Sequence, residues 1–472
     1  MLRTGLPFVV VIFFGLRGIL SLQRSGSLRL SRISSLLQMS AGWDTLDATV
    51  KATAFGSALH NEFALRKQGQ GSPHANNDLR LFGTTGEPRL TFYKDSASWC
   101  VYCFKCFLLL EEKQIPYKVE KINMRSYGDK PESFLRLVPN GILPAIRIDN
   151  GPVQLESVPI MMTIDKTFSG PAHKPMWPTN AQDQQRATRL MGLERTLFGD
   201  WCNLVFRGSS GNSAQRRFEQ TMDEVNRELE VTPSPWFLAD ISIVDLQYVS
   251  HIERMCASCV FWSGLRIRGT RWPAIERWLQ AFEARPSYMA IKSDYYTDAL
   301  DIPPQYGPGY TVPNSPAQEW QRTILGEDGS WDLPLKPLSA SDLEPVVSYA
   351  GEEAAKIEAA YKLVINHANI VKFACRGPGK PGRKQFQAPL ADPYATPDLS
   401  YESEVDGYLR LATEALAGDY TSLTVHKAAA EKREGIQLSL IYLRDRIGVP
   451  RDMSYPAARQ LRAHLNWLIK GC

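Results

Sequence analysis

A short loop that carries two cysteines, set between a predicted strand and a predicted helix, is the feature that most constrains this chain. The loop reads Ser-Trp-Cys-Val-Tyr-Cys at residues 98–103, after a strand-like run at 89–93 and before a helical run at 104–114. A thiol in the first turn of a helix faces unpaired backbone N–H groups and the positive end of the helix dipole, which stabilise a thiolate. The pattern therefore predicts a nucleophilic or redox-active cysteine.

The positions of the cysteines separate their expected roles. Zinc needs four ligands, and the remaining candidates are Cys106 in the same run and the distant Cys256 and Cys259, so we expect no metal. Cys100 lies nearest the helix start and is the expected nucleophile. Cys103 follows one turn later and is either a resolving thiol or a packed residue, and Cys106 is expected in the core.

The chain after the cysteines resembles a known family. Its features in order are a strand-like segment at 117–122, a short helix at 131–138, the step Leu143-Pro144 and the pair Glu156-Ser157 that opens a helix. A proline cannot donate to a strand ladder, so Pro144 suits an edge or a bend. This order resembles the thioredoxin-fold domain of cysteine-using glutathione S-transferases (omega, lambda and dehydroascorbate reductase). Residues 95–117 resemble plant and algal transferase-like proteins with a long C-terminal extension.

This resemblance implies that glutathione is the co-substrate. It places the cysteinyl backbone of glutathione against Leu143, just before Pro144, and the γ-glutamyl carboxylate at Ser157, with Glu156 facing the α-amino group. An anion at helix N–H donors and an ammonium at a carboxylate are the right chemical pairs. Arg136 matches the basic position that omega-like relatives use near the glycyl end of glutathione, and a surface arginine is its alternative interpretation.

A catalytic cysteine favours chemistry that passes through a mixed disulfide with glutathione. We therefore expect a thiol transferase or reductase that acts on a small electrophilic or oxidised substrate, such as dehydroascorbate or a quinone adduct. Conjugation of glutathione is the second hypothesis, with Tyr93 or Tyr102 as the nearby hydroxyl. A third hypothesis, of a different class, is a non-catalytic module that binds a ligand or a partner on the same fold.

The predicted fold is α/β plus all-α, with a thioredoxin-like domain, a glutathione-transferase-type helical domain and an additional helical C-terminal extension. The helical domain is marked by Asn180, which can cap a long helix, and by Ser242 and Asp245 at capping-box spacing. Trp201 and Phe206 in this domain are expected either in the core or at the substrate. The predicted boundaries are a presequence at 1–43, a linker at 44–88, the two domains at 89–170 and 175–295, an irregular linker at 301–340 and the extension at 341–472.

Charge and composition exclude some partners and indicate a compartment. The net charge is only +4 in 472 residues, so we expect no nucleic-acid partner. Residues 1–43 contain no acidic residue, and their apolar run at 6–16 is too short for a stable membrane insertion. A short signal followed by an Arg/Ser-rich stretch predicts import into a plastid, with the mitochondrion as the alternative. A homodimer, or a protein partner bound through the extension, stays open.

Overall fold

A computed structural model describes residues 40–207, 211–382 and 388–472. The predicted presequence at 1–43 falls almost entirely outside these residues. Across the described ranges, the model contains no helix with the length and apolar character that a membrane span requires.

The first domain is built on a five-stranded mixed sheet with the strand order β1-β3-β2-β4-β5. Its strands are β1 (Leu79–Arg80), β2 (Leu90–Asp95), β3 (Tyr117–Ile122), β4 (Ala145–Ile148) and β5 (Gln154–Leu155). β2 and β3 are parallel because a helix crosses over between them, whereas the other neighbouring strands pair antiparallel. This arrangement confirms the predicted thioredoxin-like domain.

Helices cover this sheet and then form a second, all-helical domain, as predicted. Those of the first domain are α3 (Val101–Glu112), α4 (Glu132–Leu137) and α5 (Ser157–Thr167). Those of the second are α6 (Ala181–Val205), α7 (Gly211–Leu229), α8 (Ile243–Ser258), α9 (Pro273–Glu283) and α10 (Pro286–Met289). One continuous hydrophobic core joins the two domains.

The capping signals in the sequence act where they were predicted. The side chain of Asn180 accepts a hydrogen bond of 2.8 Å from the backbone N–H of Asp183 and so begins α6. Asp245 forms the capping box of α8, because its carboxylate accepts a 2.9 Å hydrogen bond from the backbone N–H of Ser242. The indole of Trp278 also donates to Asp245 over 3.0 Å. The start of α8 is therefore fixed inside the core.

The C-terminal extension forms a helical unit with a hydrophobic core of its own. Its helices are α13 (Glu352–Val364), α14 (His367–Ala374), α15 (Glu402–Ala417), α16 (Ala430–Arg444) and α17 (Tyr455–Gly471). We call these helices and their connections the C-terminal unit.

Both segments predicted as linkers contain ordered elements. Residues 44–88 form most of α1 (Trp43–Ala52), all of α2 (Ala54–Lys67) and the edge strand β1. Leu46 and Val50 of α1 belong to the core of the C-terminal unit, so tertiary packing stabilises a segment whose own helical pattern is weak. The second linker, predicted at 301–340, contains the end of α11 (Tyr295–Tyr306) and all of α12 (Ala317–Ile324).

Candidate active site

Cys100 is the residue that begins helix α3. It is the N-cap, and its Sγ accepts a hydrogen bond of 3.4 Å from the backbone N–H of Cys103. Both cysteines are buried, with Cys100 6% and Cys103 1% exposed. A sulfur that receives a backbone N–H at a helix N-terminus is in a position that stabilises negative charge. The structure thus places the predicted nucleophile at the helix start, as the sequence indicated.

A buried charged pair lies beneath the cysteine loop. The ammonium of Lys94 donates to the backbone carbonyl of Asp95 over 2.9 Å and to Ser98 Oγ over 2.7 Å. The carboxylate of Asp95 accepts a 2.7 Å hydrogen bond from the backbone N–H of Trp99, which holds the loop in place. Burial lowers the pKa of Lys94, and the nearby Asp95, Cys103 and Cys100 oppose that shift. Lys94 therefore lies within electrostatic range of both thiols.

Burial keeps the thiols of Cys103 and Cys106 protonated. Burial raises the pKa of Cys103 well above its ordinary value, and the hydrogen bond with Cys100 raises it further. Burial likewise raises the pKa of Cys106. At neutral pH neither residue is a ready nucleophile, so the geometry favours Cys100 for that role. A role of Cys103 as a resolving thiol stays a prediction.

Three side chains at the loop could together ligate a cation. The ligand atoms of Asp95, Cys100 and Cys103 lie within 4.8 Å of one another. Cys256 and Cys259, the other cysteines considered for zinc, are buried at the end of α8 and in the π-helical turn that follows it. Three ligands without a fourth match an incomplete zinc site, and the expectation that no metal is bound stays a prediction.

The residues predicted to hold glutathione begin the neighbouring helix α5. Cys106, one turn after Cys103, donates from its Sγ to the backbone carbonyl of Ser157 over 3.7 Å, so the start of α5 lies against the middle of α3. Glu156 is the N-cap of α5 and is solvent-exposed, with φ = +70°. The peptide bond between Leu143 and Pro144 is cis, as we predicted for it. The role of these residues in binding glutathione stays a prediction.

Arg136 is placed differently from the other predicted residues. Its side chain is 74% exposed on α4, and it forms an ion pair with Glu132 at 3.8 Å. An exposed pair of this kind contributes little to stability. The structure thus leaves Arg136 on the surface, and its role at the glycyl end of glutathione stays a prediction.

A buried polar network and aromatic rings adjoin the cysteine helix on the side of the second domain. Lys105 donates to Gln247 over 2.8 Å, Gln247 donates to Glu194 over 2.8 Å, and Glu194 also contacts His251. Burial alone would raise the pKa of Glu194, but His251 and Lys105 hold it below its ordinary value.

Of the aromatic residues considered for the substrate, Trp201 is fully buried and donates to Ser258 over 2.8 Å. Tyr102 is 37% exposed, and its ring lies edge-on to His251. Trp201 therefore belongs to the core, whereas Tyr102 is accessible to a substrate.

Trp99, the loop residue before Cys100, contacts the C-terminal unit. The indole Nε1 of Trp99 donates to the backbone carbonyl of Val449 over 3.1 Å, and the guanidinium of Arg451 lies 4.9 Å from the centre of the ring. Gly448 approaches so closely that a Cβ there would overlap Trp99 Cζ2. Ser293 donates to the same Val449 carbonyl over 2.6 Å. The C-terminal unit is therefore docked directly behind Cys100.

With this geometry in hand, comparison with known proteins identifies the family. The family model described as glutathione S-transferase, N-terminal domain, matches residues 99–167, from the cysteine loop to the end of α5. This part of the chain belongs to the glutathione S-transferase superfamily. Glutathione is the co-substrate of this family, and the fold supports glutathione transferase activity.

Two relatives of the transferase type each match less than half of this chain. Protein IN2-1 homolog B of Oryza sativa subsp. japonica is 25% identical over 201 residues, which cover 41% of this chain and 77% of the rice protein. Glutathione transferase Omega 3C of Trametes versicolor has a solved structure with 23% identity and a TM-score of 0.37, covering 44% of this chain and 91% of the fungal one.

A second relationship concerns another part of the transferase chain. The R-phycoerythrin alpha chain of Pyropia tenera is 30% identical over 167 residues, which cover 31% of this chain and 93% of the algal protein. Over that part the chain also belongs to the family of R-phycoerythrin alpha chains. The aligned part, 31% of the chain, is too long to fit before the family-model match at residues 99–167. The sequence analysis did not predict this relationship.

The sequence analysis did not predict two lysines that lie near the thiols. Lys94 lies at the end of β2, and Lys130 precedes α4 within electrostatic range of Cys100 and Cys103. The sequence carried one signal for Lys94, since a charged pair, Lys94 and Asp95, interrupts an otherwise apolar strand just before the cysteine loop. Lys130 carried none, because its closeness to the thiols results from the fold of the segment after β3.

Proposed function

We propose that this protein is a glutathione-dependent thiol transferase that works through a mixed disulfide on Cys100. The observation that supports this most is the position of the Cys100 sulfur, which receives the Cys103 N–H at the start of α3, within electrostatic range of the buried Lys94. Both the helix terminus and a nearby cation favour a thiolate. A residue that only fills the core gains nothing from such surroundings.

The proposed reaction has two exchange steps. First, the Cys100 thiolate attacks the glutathione sulfur of a mixed disulfide between glutathione and a small thiol. The S–S bond breaks, the substrate leaves as a thiolate that takes up a proton from water, and Cys100 carries glutathione. Second, the thiolate of another glutathione attacks that glutathione sulfur, which releases glutathione disulfide and restores the Cys100 thiolate. Exchange of this kind depends on the thiolate form of the attacking sulfur.

The residues around α5 would hold glutathione during both steps. Ser157 and the free N–H groups of the first turn of α5 suit the γ-glutamyl carboxylate, and the exposed Glu156 suits the α-amino group. The backbone at Leu143 would bind the cysteinyl part, and Arg136 would attract the glycyl carboxylate from the surface. In support, the hydrogen bond from Cys106 to Ser157 places the start of α5 next to the helix that carries the thiol.

Two cysteine variants test the proposal. Cys100→Ser should abolish the glutathione-dependent reduction of hydroxyethyl disulfide, whereas Cys103→Ser should keep a substantial part of it, because glutathione itself resolves the mixed disulfide. Conjugation of an aryl halide is measured in parallel, and a Cys100→Ser enzyme that gains conjugation while losing reduction still supports the thiol mechanism. Full disulfide reduction by Cys100→Ser, or no binding of glutathione by the wild type, would replace the enzyme hypothesis with that of a partner-binding module.

We also propose that residues 1–43 direct the protein to a plastid and are removed there, with the mitochondrion as the alternative. The acid-free, Arg/Ser-rich composition after a short apolar run supports this. Mass spectrometry of the mature protein from its native source gives the new N-terminus, and an intact N-terminus would exclude the proposal. A homodimer stays a prediction that light scattering of the purified protein can measure.

A further inference from the structure

Three buried ligand atoms meet at the thiol loop, and the sequence analysis counted only two of them. One carboxylate oxygen of Asp95 and the Sγ atoms of Cys100 and Cys103 lie within 4.8 Å of one another. All three residues are buried. The expectation of no metal rested on cysteines alone, so it left out the carboxylate that the end of β2 brings to the loop. Two sulfurs and one oxygen form a donor set that can bind a divalent metal ion.

One oxygen of this cluster lacks a partner. Asp95 is 0% exposed, and its Oδ1 has no hydrogen-bond partner among the described residues. Its Oδ2 accepts the 2.7 Å hydrogen bond from the backbone N–H of Trp99. A buried carboxylate oxygen without a partner is costly. A cation held between the carboxylate and the two sulfurs would supply the contact that this oxygen lacks.

The loop holds the three ligands in place before any metal binds. Cys100 and Cys103 follow the Cys-x-x-Cys spacing, which brings two sulfurs of one turn to the same metal ion. The backbone N–H of Cys103 donates to Cys100 Sγ over 3.4 Å, and the bond from Trp99 fixes the Asp95 carboxylate. Hydrogen bonds of this kind orient metal ligands and strengthen the site.

Ligand type and charge select the ion. Two sulfur ligands disfavour Mg²⁺ and Ca²⁺, which prefer oxygen, whereas Zn²⁺ accepts sulfur and carboxylate oxygen together. Two thiolates, one carboxylate and Zn²⁺ leave one negative charge. The buried Lys94, within electrostatic range of both sulfurs, can balance that charge. Three protein ligands leave the fourth position of the zinc ion to water.

We propose that Zn²⁺ binds reversibly to Asp95, Cys100 and Cys103 and thereby inhibits the thiol chemistry. Bonds form between zinc and both sulfurs, any proton that the thiols carry passes to the buffer, and no electron is transferred. The Cys100 sulfur is then held by the metal and does not attack a disulfide. The binding site follows from the contacts of these residues, whereas its inhibitory effect rests on the proposed thiol transferase function. A reversible site is compatible with a protein that has no resident metal.

Titration of Zn²⁺ into the reduced full chain tests the site without any turnover. Calorimetry under argon should show one Zn²⁺ bound per chain. Cys103→Ser should weaken this binding by about a hundredfold or more, because losing a residue that merely orients a ligand already costs roughly 10–100-fold. Asp95→Asn keeps an oxygen that can accept from Trp99, and it should weaken binding by about tenfold or more. Co²⁺ serves as a second probe, and its sulfur-to-metal absorption should decrease in Cys103→Ser.

The matched control removes a different thiol from the same helix. Cys106 is buried on α3 but does not belong to the cluster, and a serine hydroxyl there can still donate to the Ser157 carbonyl. Cys106→Ser should therefore bind Zn²⁺ like the wild type. No binding of Zn²⁺ by the wild type, or equal affinities in Cys103→Ser and Cys106→Ser, would overturn the site.

Alkylation of Cys100 reports the metal in the wild type, where no substitution can disturb folding. Zn²⁺ should slow alkylation by iodoacetamide by about tenfold or more, and EDTA should restore the rate. Disulfide reduction should be lost over the same range of Zn²⁺, and the activity left in Cys103→Ser should resist it. Full disulfide reduction by the Zn²⁺-bound wild type would overturn the inhibition. Full reduction by Cys100→Ser would instead overturn the proposed function, while Zn²⁺ binding that depends on Cys103 would still support the site.

Discussion

The indole of Trp99 donates a 3.1 Å hydrogen bond to the backbone carbonyl of Val449, 350 residues further along the chain. Trp99 immediately precedes Cys100, so this bond joins the thiol loop of the transferase domain to the C-terminal unit. The ring is fully buried and also packs edge-on against Tyr127. The position of the thiol loop therefore depends on a part of the chain that lies outside the transferase domains.

We expect Gly448→Ala to disturb the thiol site from a distance. The added Cβ would overlap the Trp99 ring, so the ring and the loop at Cys100 must shift, and thiol transfer should fall by about threefold to tenfold. The control is Gly407→Ala, because a Cβ at 407 in α15 meets open space. Steady-state rates of disulfide reduction for both variants check this. Wild-type activity in Gly448→Ala would mean that the contact has no influence on the site.

Loss of the buried cation at the site should slow the reaction of the nucleophile. In Lys94→Gln the charge beside the thiols is gone, so alkylation of Cys100 by iodoacetamide at pH 7 should slow by about fivefold or more. Peptide mass spectrometry at fixed times gives the rate for Cys100 alone. Lys118→Gln removes an exposed lysine from β3 and should change nothing. Equal rates in the two variants would assign Lys94 a purely structural role.

A buried ion pair holds the C-terminal unit against the helical domain. Arg462 donates to Asp294 over 2.6 Å, and both side chains are almost completely buried. Arg462→Met leaves the Asp294 charge buried without its partner, so the free energy of unfolding should fall by about 3–5 kcal/mol. Arg89→Met breaks an ion pair to Asp149 whose side chains are more than half exposed, and it should leave the free energy of unfolding close to that of the wild type. Urea denaturation measures both changes.

The buried His464 should make the protein less stable in acid. Burial lowers its pKa to about 4, against about 6.5 in an unfolded chain. Between these values the unfolded state binds the proton more readily, so the free energy of unfolding decreases as the pH falls from about 6.5 to about 4. In His464→Gln, the free energy of unfolding should fall less over this pH range, by at most about 3 kcal/mol, than it does in the wild type. Denaturation curves at several pH values measure it, and an identical pH profile in the variant would contradict it.

The N-terminal helix α1 should behave as part of the C-terminal unit. Leu46 is 2% exposed within that core, so Leu46→Ala should lower the free energy of unfolding by about 2–5 kcal/mol. Leu65 on α2 is 44% exposed, and Leu65→Ala should change the free energy of unfolding by about 0.5 kcal/mol at most. If both variants unfold like the wild type, α1 contributes nothing to this core.

The sequence alone determined the features of this protein that depend on neighbours within a few residues. The strand before Cys100, the helix after it, the cap at Asn180 and the capping box of Ser242 and Asp245 all follow from short patterns. Their causes are hydrogen bonds and a helix dipole that act within one or two turns. The place of the thiol could therefore be predicted from these patterns, whereas the thioredoxin-like fold was predicted from the resemblance to glutathione S-transferases.

Only the tertiary structure decided which distant surfaces meet. Trp43, the last residue of the predicted presequence and the first of α1, donates to Asp406 over 2.7 Å across 363 residues, which ties α1 to the C-terminal unit. The contact of Trp99 with Val449 likewise joins segments with no common pattern in sequence. Such contacts depend on complementary shape and charge between folded surfaces, and the periodicity of the sequence does not predict them. For that reason the helices of the extension could be predicted, but their docking behind Cys100 could not.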